Sequence, residues 1–223
     1  SYGGQGLKCW GNNNAYQLAN GNSTATGSAT NANMAISSNQ KIVRIVATEQ
    51  NTCTLFDDAT IRCVGVNTNG ELGNGTSTFF NSPQSVSIPS LSAGEIPVDI
   101  AGGYRHFCFL TNNKRVFCWG NNPGGEALGS SATSQVTVPT LVSSATDAVQ
   151  ISAGLDSTCA VMADTSLKCW GKNNYGQIGN GATSASPTLP TQIIASGVEK
   201  VRVGSSSACA ILQTGEVLSL IHI

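Results

Sequence analysis

The stretch CAVMADTSLKCWG (residues 159–171) decides the fold. Strand-forming residues flank the polar turn Ala163–Ser166, so it reads as an antiparallel hairpin. The register that sets Cys159 opposite Cys169 also sets Val161 opposite Leu167, and directly opposed Cα atoms lie about 4.5–5.5 Å apart, within reach of a disulfide. The same figure occurs as CTLFDDATIRCVG (53–65) and CFLTNNKRVFCWG (108–120).

Working outward, the second cysteine of each hairpin opens a further common stretch. LKCWGNNNAYQLANG begins at Leu7, IRCVGVNTNGELGNG at Ile61, VFCWGNNPGGEALGS at Val116 and LKCWGKNNYGQIGNG at Leu167. The cysteines at 9, 63, 118 and 169 are spaced by 54, 55 and 51 residues. Upstream of each hairpin the chain repeats again, in VRIVATEQNTC, VDIAGGYRHFC, VQISAGLDSTC and EKVRVGSSSAC, with Ile45, Ile100, Ile151 or Val201 eight residues before the cysteine. Four repeats follow, near 1–57, 58–112, 113–164 and 165–217. A period of about fifty residues with several short strands per unit is that of a β-propeller blade. Glycines in GQIGNG and GELGNG suit tight positive-φ turns, and no Lys-Ser/Thr accompanies them as a phosphate loop requires. The prolines of VPT at Val138 and LPT at Leu189 fit an outermost strand, which tolerates a missing N–H.

The phased pattern SAGxxxxCAV…LKCWGxNxxGQIGNG resembles the repeat of the regulator of chromosome condensation family. That resemblance covers the chain as far as Val217 and implies an all-β, seven-bladed propeller. This chain carries about four of those repeats and is expected to be an open fragment. At its end LKCWG would be expected, but the chain reads Val217-Leu218-Ser219-Leu220-Ile221-His222-Ile223. The string LSLIHI resembles one translated frame of a sequencing adapter, so residues 218–223 are expected to be a non-native tail. Open blade faces at both ends would then favour self-association.

Three readings of the cysteines are open: metal ligands, buried free thiols and disulfides. Metal would call for CxxC spacing or nearby histidines, and the only histidines are His106 and His222. Recurrence as opposed pairs favours disulfides 53–63, 108–118 and 159–169 (Cys53, Cys63, Cys108, Cys118, Cys159 and Cys169). Cys9 lacks a residue ten positions earlier, and Cys209 faces Ser219.

Composition limits the function. Charged residues are 10% of the chain, against about 25% in ordinary domains, and the net charge is −1. No clustered basic face marks a nucleic-acid partner. No apolar run approaches the roughly 20 residues of a membrane-spanning helix. No catalytic motif of the GxSxG, HExxH or Walker type occurs, so neither an enzyme nor a cofactor is expected. Trp10, Trp119 and Trp170 recur in phase and are expected to pack between blades. Asn22 and Asn74 begin glycosylation sequons, which arise by chance in Asn-rich chains.

What remains is surface recognition of a protein or glycan. The loop before each hairpin keeps its frame and varies its side chains: Glu49-Gln50, Tyr104-Arg105, Leu155-Asp156 and Ser205-Ser206. Variable side chains on a rigid frame suit a binding face, so Glu49, Gln50, Tyr104, Arg105, Leu155 and Asp156 are the candidate contacts, with exposed side chains. His106 is expected to hydrogen-bond its loop backbone. Phe79 and Phe80 form a second candidate patch, one of them exposed, since adjacent strand residues face opposite ways. Paired cysteines and low charge favour a secreted or cell-surface protein. The family resemblance alone would imply an intracellular guanine-nucleotide exchange factor or chromatin-associated regulator.

Overall fold

A computed structural model describes residues 6–122, 128–129, 134–183 and 186–220. Among these residues, seventeen strands form five antiparallel sheets. Strands β1 (Lys8–Gly11) and β2 (Thr26–Asn31) pair alone. Three four-stranded blades follow: β3 (Ile42–Ala47), β4 (Asn51–Phe56), β5 (Ile61–Gly65) and β6 (Phe80–Ser85); β7 (Pro97–Gly102), β8 (His106–Thr111), β9 (Val116–Gly120) and β10 (Val136–Leu141); β11 (Ala148–Ala153), β12 (Ser157–Met162), β13 (Leu167–Gly171) and β14 (Thr191–Ile194). A three-stranded sheet of β15 (Val198–Val203), β16 (Ala208–Leu212) and β17 (Val217–Ser219) completes the series.

Blades and sequence repeats are out of phase by half. Residues 1–57 supply β1 to β4, and 58–112 supply β5 to β8, so each repeat carries the outer pair of one blade and the inner pair of the next. The innermost strands β3, β7, β11 and β15 lie side by side in chain order. Pro83 and Pro139 sit in the outermost strands β6 and β10, and Pro190 immediately precedes β14.

The core lies between blades. Every residue of β4, β8 and β12 is buried, which is why these strands read as apolar runs rather than as an alternation. Phe107 and Phe109 of β8 pack toward Leu55, Ile61 and Leu72 of the first blade. Cys108 and Leu110, on the other face of β8, pack toward Ile151, Ala160 and Trp170 of the third blade. Trp119 and Trp170 are fully buried. The Trp119 indole N–H donates to the Glu71 carbonyl at 2.9 Å and lies over Gly73, where a Cβ would come within 2.7 Å of the ring nitrogen at φ +63°. Trp10 departs from expectation: no loop among the described residues covers it, and it is 65% exposed.

Four equivalent asparagines, Asn13, Asn67, Asn122 and Asn173, hold the loops that follow β1, β5, β9 and β13. All four are buried. Their side-chain oxygens accept from the backbone N–H groups of Leu18, Leu72, Leu128 and Ile178 at 2.9–3.1 Å. The Asn67 amide also donates to the carbonyls of Thr76 and Thr78. The expected positive-φ turns are present, as at Gly70 and Gly73 in GELGNG.

The hairpin register is the expected one. Cys53 faces Cys63, Cys108 faces Cys118 and Cys159 faces Cys169. All three pairs are disulfides with Cα separations of 4.0–4.1 Å, and all six cysteines are buried in the layers between blades. Cys9 and Cys209 are free thiols. The template register continues at the chain's end, with Ser219 opposite Cys209 and the buried Leu220 at the position that tryptophan holds in β9 and β13. Residues 221–223 lie outside the described residues.

His106 departs from its expected role. Its ring is buried and its Nε2 pairs with the Thr158 hydroxyl of the next blade at 2.8 Å rather than with its own loop backbone. Burial pushes its pKa down to about 4, against a smaller opposite pull from Asp156.

Two tests follow from these contacts. Peptide mapping without reduction should recover links 53–63, 108–118 and 159–169, and removing any one pair should lower stability by about 2–3 kcal/mol. Free thiols at those six positions would overturn the assignment. Because the folded His106 titrates below its unfolded value of 6.5, its stability contribution is complete above about pH 6.5. It falls as pH drops toward 4 and changes no further below that, for a total loss of about 3 kcal/mol. In urea titrations, His106→Asn (the residue at the equivalent position 51) should flatten that slope. An unchanged pH profile would exclude His106 as its source.

Candidate partner-binding face

The loops joining first to second strands are locked to one another through their backbones. The Tyr104 N–H donates to the carbonyls of Gly154 and Leu155 at 3.2 and 3.0 Å. Gly103 permits this approach, since a Cβ there would lie 2.2 Å from the Gly154 oxygen. A Cβ on Gly154 would in turn lie 2.0 Å from the Gly204 oxygen. Three successive loops are therefore stacked at main-chain distance, and their variable side chains emerge on one side.

Glu49, Tyr104, Leu155 and Ser205 line one open groove of about 370 Å³, floored by Gly102, Gly103, Gly154 and Gly204. The following residues flank it. The Arg105 guanidinium donates to the Gln50 side-chain oxygen at 3.2 Å and lies 5.1 Å from the centre of the Tyr104 ring. Asp156 meets the Lys172 ammonium at 3.5 Å. All six inner candidates thus share one face, with a correction to their exposure: Glu49 is open, whereas Gln50, Tyr104, Arg105, Leu155 and Asp156 are half-buried. Tyr104 and Arg105 are held against the frame, which reduces the rotamer freedom a partner would have to quench.

The phenylalanines lie elsewhere on the same side. Phe80 pairs with Gly65, and Gly65 with Asn51, so they share the strand ends that carry Gln50 but sit at the start of the outermost strand, about 10 Å away across two strand spacings. Phe79 is 53% exposed and touches the Tyr16 ring at 5.6 Å, while Phe80 packs inward between blades. Asn22 and Asn74 lie in loops, with Asn22 exposed and Asn74 half-buried.

The sequence reading missed the polar shaft. Arg44, Asp99 and Gln150, each nine residues before a hairpin cysteine, line an open cavity of about 390 Å³ between the innermost strands, together with Arg202. Arg44 pairs with Asp99 at 2.8 Å. Gln150 and Ser152 accept from the backbone N–H groups of Val201 and Val203. The fixed offset was a usable signal, hidden by the unlike residue types that occupy it. Among the described residues no group of three or more His, Cys, Asp or Glu side chains could hold a metal ion. No helix there is long and apolar enough to cross a membrane.

Comparison with known proteins places this geometry. Residues 98–126, 113–161, 148–177 and 169–211 match the family described as the regulator of chromosome condensation (RCC1) repeat, together spanning 98–211, just over half of the chain. The human E3 ubiquitin-protein ligase HERC2 is 28% identical over 162 residues, covering 70% of this chain and 3% of that protein. The mitochondrial RCC1 domain-containing protein RUG3 of Arabidopsis thaliana is 32% identical over 131 residues, covering 58% of this chain and 28% of that protein. The structure of Prp20p from Saccharomyces cerevisiae superposes with a TM-score of 0.82 at 20% identity, over 96% of this chain and 52% of that one. The chain therefore spans a small part of these curated relatives and about half of the solved propeller. The register, the stacked loops and these matches agree: the chain belongs to the regulator of chromosome condensation (RCC1) repeat family.

Proposed function

We propose that this propeller is a non-enzymatic recognition module that binds a protein partner through the face bearing Glu49, Gln50, Tyr104, Arg105, Leu155 and Asp156, and that it works outside the cell or on its surface. The observation that carries the reading is the backbone stacking of three successive loops, which brings Tyr104, Leu155 and Ser205 to one groove that Glu49 of the preceding loop also lines. Arg and Tyr dominate binding hot spots because each combines a broad contact area with polar atoms. Both stand here side by side, already oriented. Prp20p, whose structure was described together with its binding to Gsp1p and histones, is a relative that binds proteins. Three buried disulfides in a low-charge chain support an oxidising compartment.

A photo-reactive residue at position 49 should cross-link the partner, whose affinity can then be measured against the native chain. The double change Tyr104→Ala with Arg105→Ala should weaken binding at least about tenfold. Both side chains are half-buried, so a stability loss of about 1 kcal/mol should accompany it. Phe79→Ala should leave affinity unchanged. Unchanged affinity in a folded double variant would overturn the assignment of this face, and loss in Phe79→Ala would move the site to the rim.

A further inference from the structure

The polar shaft carries chemistry that the loop face does not use. Strands β3, β7, β11 and β15 each stand at the end of their own sheet, with one edge unpaired. Backbone N–H groups on such an edge need acceptors from elsewhere, and side chains in the shaft supply several. The Gln150 side-chain oxygen accepts from the Val201 N–H at 2.9 Å, and the Ser152 hydroxyl oxygen accepts from the Val203 N–H at 3.0 Å. Asp99 Oδ1 accepts from the Ile100 N–H at 2.9 Å and from Arg44 Nε at 2.8 Å.

This capping consumes acceptors and leaves donors. With its oxygen engaged, Gln150 retains both hydrogens of Nε2, and Ser152 retains its hydroxyl hydrogen. Arg44 retains both Nη groups. Arg202 donates once, from Nη1 to the Val201 carbonyl at 2.9 Å, and meets no carboxylate among the described residues. Of the side-chain oxygens on these five residues, Asp99 Oδ2 alone is without a partner. Two guanidiniums against one carboxylate give the lining a surplus positive charge. The cavity of about 390 Å³ falls within the roughly 300–1,000 Å³ of small-ligand sites.

We propose that this shaft cavity binds a small polyhydroxy acid, with the size and chemistry of a sugar acid. The Arg202 fork takes the carboxylate, because its planar pair of N–H groups matches two carboxylate oxygens. Gln150 Nε2 and the Ser152 hydroxyl add donors to the same anion. A hydroxyl beside the carboxylate donates to Asp99 Oδ2 and accepts from an Arg44 Nη group. A neutral sugar leaves the Arg202 charge unmatched. A simple carboxylate leaves Asp99 Oδ2 unmet and close to a like charge, so the site requires both features at once. Gly102 and Val203 line this cavity and the loop groove alike, so the two spaces adjoin. None of the five ligand-binding residues lines the groove, and the site does not rest on the partner-binding reading.

Isothermal titration of the intact chain with D-glucuronate at low ionic strength should show saturable one-to-one binding. D-glucose, acetate and inorganic phosphate should each bind at least about tenfold more weakly. Arg202→Gln should weaken glucuronate binding at least about tenfold. That side chain is exposed, so the three disulfides and the melting temperature should be unchanged. Asp99→Asn keeps an oxygen for Ile100 and Arg44 but sets an amide where Oδ2 stands. It should raise acetate affinity and erase the preference for glucuronate over acetate. The double change Tyr104→Ala with Arg105→Ala should leave glucuronate binding as it is, which separates failure of this site from failure of the loop face. Absence of saturable binding, acetate or phosphate binding as tightly as glucuronate, undiminished affinity in Arg202→Gln, or loss in the Tyr104–Arg105 variant would each overturn the proposal.

Discussion

A blade of this protein has two apolar faces, and neither is stable in water alone. Strand β8 shows the constraint most plainly: Phe107 and Phe109 require the blade before it, and Cys108 and Leu110 require the blade after it. Among the described residues the buried apolar clusters are these layers, so stability accumulates by nearest neighbours, as in other repeat architectures. Each disulfide lies inside such a layer and restrains a hairpin whose two faces are both in use. The glycine at the foot of each layer matters as much as the bulky residue above it. Only at Gly73 does the turn leave room for the Trp119 indole, and that ring in turn satisfies the Glu71 carbonyl.

The half-repeat offset between sequence and structure extends the same logic. Each repeat begins in the outer half of one blade and ends in the inner half of the next, so the chain crosses every blade-to-blade layer within a repeat. The apolar layers hold successive blades together, and stacked loops on one side of the disc inherit the resulting rigidity. That is what allows Tyr104 and Arg105 to be variable in type yet fixed in position. Buried asparagines do the corresponding work on the outer loops, where Asn67 replaces water as partner for Leu72, Thr76 and Thr78.

Much of this was legible in the sequence, and what was legible was local. Ten-residue spacing and strand propensity were enough to read the hairpin register and the three cysteine pairings, because both partners lie in one repeat. Periodicity was enough for the architecture. The failures share a cause: burial of a side chain depends on a blade contributed by another repeat. Trp10 carries the same local sequence as Trp170 yet is exposed, since no loop among the described residues covers it as one covers Trp170. His106 reads as a surface loop residue but opens β8 and is sealed by Thr158, fifty-two residues on. Tyr104 and Arg105 read as exposed but are half-buried, because the Gln50 side chain reaches across from the neighbouring blade.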